Sequence, residues 1–198
     1  LTFPEEVPTL DVFLVGGGGA GAGWAESSYY GAGGGGGYTN TIRAINVLSE
    51  TEYQIVIGSG GSTVYAAGSE SSAFGYKAAG GKGAFQYTGG NGGSGGASGT
   101  GDHTTKVVGG SNGTSGNVWK TWIAGKGQRD LAGPNGETGN TKEFGEESGD
   151  LYSTAGSGGG YLLSTIPANK GYGGSGSGYG GKFQAGGSGI VIIRSHVE

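Results

Sequence analysis

Apolar residues fall into a few short runs along the chain, and glycine separates the runs. Leu10-Asp11-Val12-Phe13-Leu14-Val15 stops at a four-glycine run, and residues 38–47 alternate Thr39, Thr41 and Arg43 with apolar or aromatic positions. Tyr53-Gln54-Ile55-Val56-Ile57 runs into Gly58, and Ile190-Val191-Ile192-Ile193-Arg194 follows the last glycine tract. Short runs of β-branched and aromatic residues bounded by turn formers predict strands. Weaker strand signals cover residues 72–78, 106–108, 118–123 and 151–152. No window carries a helical period, and every stretch long enough to test is broken by glycine, which disfavours helix by about 1 kcal/mol per residue. The expectation is an all-β chain with essentially no α-helix, its terminal strands forming a small antiparallel sheet.

Between the runs lie glycine tracts at residues 16–23, 31–37, 58–61, 80–83, 89–101, 109–116, 156–160, 171–181 and 186–189. Glycine supplies 53 of 198 residues, whereas Leu, Ile, Val and Phe together supply 34, so a conventional side-chain core is small. Fixing each residue costs about 1–2 kcal/mol of backbone entropy, with glycine at the high end. Something other than side-chain burial must offset that cost. A flexible linker does not recur between strands in this way. Collagen needs glycine at every third position and abundant proline, but the spacing here is irregular and the prolines number four. A bundle of polyglycine II helices supplies the missing energy. Such helices have three residues per turn and no internal hydrogen bonds, so each takes its partners from its neighbours.

Charge and length narrow the function classes. The chain is expected to be one glycine-rich domain over residues 1–198, a piece of a longer polypeptide since it starts at Leu1 and lacks methionine. Fifteen acids and eleven bases are spread along it, with no basic patch to neutralise phosphates, so nucleic acid is not an expected partner. There is no cysteine for a disulfide or thiolate metal site, and no apolar stretch long enough for membrane insertion.

The order of the blocks carries a resemblance. Asp11 to Gly19, Gly33-Gly34-Gly35-Gly36-Gly37-Tyr38-Thr39, Tyr53 to Gly61, Glu143-Phe144-Gly145-Glu146 and Gly186 to Arg194 look like the glycine-rich domain common in tail proteins of phages and prophages of gut bacteria. In looser form the chain is similar to the receptor-binding adhesins at the tail-fibre tips of T-even phages and to the glycine-rich region of the anaplastic lymphoma kinase receptor. Both resemblances imply polyglycine II packing. The phage one implies receptor binding through variable loops and a place in the virion or outside the cell. Residues 101–139 depart from the pattern as a divergent, loop-rich insertion.

Candidate chemistry is sparse. Gly16-Gly17-Gly18-Gly19-Ala20-Gly21 satisfies the dinucleotide pattern in letters only, since a second glycine tract follows where the fingerprint needs a helix and an acid-terminated strand. Residues 176–182 approach a phosphate loop, but Phe183 stands where a hydroxyl would hold magnesium. His103 and His196 have no cysteines to complete a zinc site, and nothing places either beside a serine. Residues 137–150 hold five acids, among them Glu143, Glu146 and Glu147, which read as a solvated acidic loop without calcium-loop spacing. No enzyme and no cofactor are expected.

The aromatics Trp24, Tyr29, Tyr30, Phe85, Tyr87, Trp119, Trp122 and Tyr161 all fall between glycine tracts and outside the strands. Rigid rings on loops offer contact area at low entropic cost, and the competing reading is that they cap the glycine bundle. The expected function is adhesion to a protein or polysaccharide of the bacterial surface, beside other tail or fibre subunits, with a homotrimer and a monomeric tip both open. The alternative is a purely structural tail component without host contact.

Overall fold

In a computed structural model of the protein, which describes residues 1–3, 9–23, 31–96, 99, 142–156, 158, 165–176 and 182–195, the run Leu10–Val15 forms strand β1. It is the middle strand of an antiparallel sheet, flanked by β2 (Thr39–Ile45) and β6 (Ile190–Ser195) in the order β2-β1-β6. Every residue of β1 is buried, which accounts for a run that stays apolar where a half-buried strand would alternate. The expected sheet of terminal strands is therefore present.

A second antiparallel sheet has the order β3-β4-β5, with β3 at Ile55–Val56, β4 at Ser71–Ala73 and β5 at Tyr76–Ala78. Here the chain differs from its sequence reading. Residues 53–57 contribute only two strand residues, and residues 72–78 form a hairpin instead of one strand. Phe74 (φ 52°) and Gly75 (φ 80°) both take the left-handed conformation required by the two-residue turn that closes it. Leu151 forms an isolated bridge to Lys142, while residues 106–108, 118–123 and the divergent 101–139 lie outside the described residues. Among the described residues no α-helix forms, and the one helical turn is a 3-10 segment, Glu143–Gly145. No helix among them is long and apolar enough to cross a membrane.

Two small apolar clusters lie against the two faces of β1. Val12 and Leu14 pack with Ala73 and Ala78 of the second sheet, supported by Ile42, Ile55 and Ile193. Phe13 and Val15 pack with Phe144 and Tyr152, whose rings stand 5.9 and 5.3 Å from Phe13. Asp11 shares the second face and is 1% exposed. It stands at a bulge, where Leu10 pairs with Ile45 and Val12 with Ile42, leaving Arg43 and Ala44 both opposite one residue. Ala44, at φ 54°, donates its N–H to Asp11 Oδ1 (3.0 Å), and Arg43 (2.9 Å) and Arg194 (3.0 Å) both reach Asp11 Oδ2. Arg194 also pairs with Glu146 (2.8 Å) and lies 4.3 Å over the Phe144 ring.

The acidic segment 137–150 is thus not a free solvated loop where it is described. Glu146 and Asp150 are ion-paired, Asp150 with Lys170 at 2.8 Å, and Glu143 accepts from the Tyr152 hydroxyl at 3.2 Å. The hydrogen bond and charge of Lys170 lower the Asp150 pKa. Burial would depress Lys170, but its hydrogen bond and attraction to Asp150 outweigh this and raise it. Tyr152 is raised chiefly by burial, with Lys170 opposing. A depressed acid contributes stability above its ordinary value of 3.8 and loses it as pH falls below that. Raised groups contribute below their ordinary values of 10.0 and 10.5 and lose it as pH rises past them. Denaturant midpoints are therefore expected to fall on both sides of that window, and Lys170→Gln to flatten the acid limb, since Lys170 is what lowers Asp150. Midpoints of Lys170→Gln that follow the same profile as the wild type would contradict this.

Among the described residues the glycine tracts form the rest of the interior, and the backbone hydrogen bonds of residues 16–22 and 34–38 repeat every three residues. The N–H groups of Gly16, Gly19 and Ala22 go to the carbonyls of Tyr38, Gly35 and Ala32. Those of Gly17 and Ala20 go to Ser69 and Ala66, and those of Gly18 and Gly21 to Gly187 and Gln184. Successive residues of one tract thus bond to different neighbouring tracts, each running antiparallel to it. The carbonyls of Gly17 and Ala20 in turn accept from Gly81 and Ala84, a parallel neighbour. Residues 31–38 repeat the scheme, with Gly34 and Gly37 donating to Gly174 and Gly171, and Gly35 and Tyr38 to Lys82 and Ala79. Backbone groups that a loop would leave to water are satisfied inside the protein. Glycine is required by the close approach: a methyl on Gly18 would overlap the Tyr172 carbonyl, and one on Gly37 the carbonyl of Gly16.

Candidate binding surface

The hydrogen-bond register places several chain reversals at one end of the tracts. Residues 16–22 leave β1 and pair outward from Tyr38 to Ala32, so Gly23 and Gly31 stand at the end away from the first sheet. Gly81 and Ala84 advance beside Gly17 and Ala20, which carries the following turn to that same end. Ser69 and Ala66 retreat along Gly17 and Ala20, placing residues 62–65 there as well. The Gly176 to Phe183 bridge lies beyond the bond from Gly21 to Gln184. Ala22, Ala32 and Ala84, all fully buried, meet as a small methyl cluster beneath this end.

Two turns present aromatic rings here. Phe85 and Thr88 exchange backbone hydrogen bonds of 3.0 and 2.9 Å around Gln86 and Tyr87, with Gln86 at φ 52°. Phe85 is 62% exposed, and its ring centroid lies 5.3 Å from that of Tyr65, inclined by 50°. Tyr65 takes φ 67° and is itself exposed, beside exposed Val64. A non-glycine residue held at positive φ is uncommon, and here the two loops that carry the ring pair each contain one. Tyr87 is half-buried. The surface can offer ring faces and edges to a partner; among the described residues it carries no arrangement of nucleophile and base.

Of the aromatics expected at a binding surface, the structure therefore brings Phe85 and Tyr87 into one turn. Trp24, Tyr29, Tyr30, Trp119, Trp122 and Tyr161 lie outside the described residues, as do His103 and His196. Tyr65 was missed by the sequence reading. Its signal was available: it sits in the short segment between Gly61 and Gly68, the same context that singled out Phe85. The Asp11 cluster was missed too, although a carboxylate inside an apolar strand, with arginines in both partner strands, is a usable signal. It joins three strands. Among the described residues no group of three His, Asp or Glu side chains is placed to hold a metal ion.

No curated protein matches the chain. A family model described as glycine-rich domain does match it, over residues 1–196, and the chain belongs to that family.

Proposed function

We propose that the chain is a receptor-binding module of a phage tail fibre or related injection apparatus, in which the glycine tracts are polyglycine II helices and their connecting loops present aromatic rings to a bacterial surface. The helix reading is supported by the three-residue repeat of the inter-tract hydrogen bonds, which matches three residues per turn. The observation that carries the binding reading is the exposed Tyr65–Phe85 pair at the end where chain reversals gather. Loops whose ends are already fixed lose little entropy when they bind, and ring pairs are the side chains that interfaces reward.

The test is binding of the purified chain to a panel of gut bacterial cells, beside a Tyr65→Ala, Phe85→Ala double variant and a Trp119→Ala, Trp122→Ala double variant. Both rings of the first pair are exposed, so its unfolding midpoint is expected to stay within about 0.5 kcal/mol per site of the parent, while cell binding falls by about tenfold or more. Unchanged binding by the Tyr65, Phe85 variant would remove that surface from the reading. A folded chain that binds no strain would favour the purely structural role.

A further inference from the structure

Tyr65 and Phe85 belong to two four-residue turns that the backbone ties to one another. The Ala66 N–H donates to the Thr63 carbonyl at 3.0 Å and closes residues 63–66, as the Phe85 and Thr88 pair closes residues 85–88. Ala20 joins the two turns. Its N–H donates to the Ala66 carbonyl at 2.8 Å, and its own carbonyl accepts from the Ala84 N–H at 2.9 Å. The neighbour of each ring is therefore held by one residue of the buried segment 16–22. Gly83 adds a close approach, because a methyl there would overlap the Tyr65 carbonyl. The tracts thus hold the backbone beneath the two rings, 5.3 Å apart and inclined by 50°, before any partner arrives.

Neither turn carries a charge. Residues 62–66 read Ser-Thr-Val-Tyr-Ala and residues 85–88 read Phe-Gln-Tyr-Thr, and the nearest charged residues along these segments are Glu70 and Lys82. Ser62 and Thr63 are exposed and Gln86 is half-buried, so hydroxyls and an amide accompany the rings. The ring pair itself is small. At 38% and 62% exposure it offers roughly 200 Å², against about 800 Å² per partner in a stable protein interface. That is the scale of a sugar unit, not of a protein footprint. A pyranose whose hydroxyls are all equatorial has faces that carry only C–H, which stack on aromatic rings, and a rim of hydroxyls that needs neutral hydrogen-bond partners.

We propose, resting on the receptor-binding reading above, that the Tyr65–Phe85 pair takes a neutral pyranose with equatorial hydroxyls, of the β-glucose or β-N-acetylglucosamine type, as a unit of a polysaccharide. Phe85, the more exposed ring, stacks on the C–H face, and the inclined Tyr65 ring meets the edge of the sugar. Ser62, Thr63 and Gln86 bond hydroxyls at the rim. No ion pair takes part, so the affinity does not depend on salt.

The test uses the full chain with cellohexaose and chitohexaose as probes, followed by calorimetry and by NMR of the Tyr65 and Phe85 ring protons. Saturable binding of at least one probe is expected, shifting both rings and keeping its strength as sodium chloride is raised to about 0.5 M. Phe85→Leu keeps an apolar side chain but removes the ring face, and it is expected to weaken binding by about tenfold, as is Tyr65→Ala. Phe85→Trp is expected to retain it. If a variant fails to fold, the ring-proton shifts of the unaltered chain make the same test. No binding of either probe, binding that shifts neither ring, or binding indifferent to Phe85→Leu and Tyr65→Ala would overturn the proposal. Whole cells separate it from the receptor-binding reading. Adhesion that needs both rings, withstands periodate treatment of the cells and is lost after proteinase treatment would overturn the sugar site, assign the rings to a protein receptor and leave that reading intact. Probe binding by a chain that adheres to no cell would uphold the sugar site and overturn the receptor-binding reading.

Discussion

Replacing Gly18 with alanine is expected to destabilise the protein by about 3 kcal/mol, the upper part of the usual range for overpacking, and to lower its thermal midpoint by roughly 6–12 °C. The reason is the identity of the obstacle. The added methyl would meet the carbonyl and following amide of residues 172–173, which are backbone and have no rotamer to change. Gly18 also donates to Gly187 and accepts from Gly61, so shifting its tract to relieve the overlap would stretch bonds to both neighbours. Gly75→Ala is the matched control. Nothing lies within 4 Å of the methyl that this change would add, and the cost comes only from φ 80°, about 1–2 kcal/mol. Thermal unfolding of the two variants beside the parent distinguishes close packing from simple loss of glycine. Equal effects at the two sites would contradict the packing argument.

Asp11→Ala is expected to have the second large effect. It removes the buried carboxylate that accepts from both Arg43 and Arg194 and the acceptor of the Ala44 N–H at the bulge. Stripping the partner from a buried charge costs about 3–5 kcal/mol. The guanidinium side chains here are 51% and 37% exposed and regain water, so about 2–3 kcal/mol is expected. Arg194→Ala on the same background should then cost less than it does alone, because one of its two carboxylate partners is already gone. Denaturant unfolding of the double-mutant cycle measures this coupling, and strictly additive losses would show that the three strands are not joined through Asp11.

How much of this was legible in the sequence depended on side chains. β1, β2 and β6 were readable because their residues are apolar or alternate, and burial on both faces explains the unbroken run of β1. β4 was not readable as a separate strand. Its residues are Ser71, Ser72 and Ala73, and it exists because a positive-φ turn folds β5 back on it while Ser71 donates its hydroxyl to the Val15 carbonyl at 2.6 Å. The glycine tracts were readable as tracts, but not which pairs with which. Glycine has no side chain to mark a face, so partner choice follows from where the strands launch each tract and from the length of each turn. Phe85 was legible as a ring between glycine tracts, but its proximity to Tyr65 depends on that pairing.

The alanines within the tracts follow the same geometry. Ala22, Ala32 and Ala84 occur where their methyls meet one another instead of a carbonyl, at the end that carries the exposed ring pair. The tracts therefore change from backbone-on-backbone contact to side-chain contact as they approach the loops. This fixes the turn after Ala84, from which Phe85 projects.

The most direct measurement of the central claim, that glycine backbone forms the protein's interior, is residue-resolved amide hydrogen exchange across residues 16–22. The period-three hydrogen bonding predicts that the consecutive amides of Gly17, Gly18 and Gly19 are all protected to a degree comparable with those of β1, although none lies in a sheet or helix. Exchange of those glycine amides at the rate of an unstructured chain, while β1 stays protected, would contradict it.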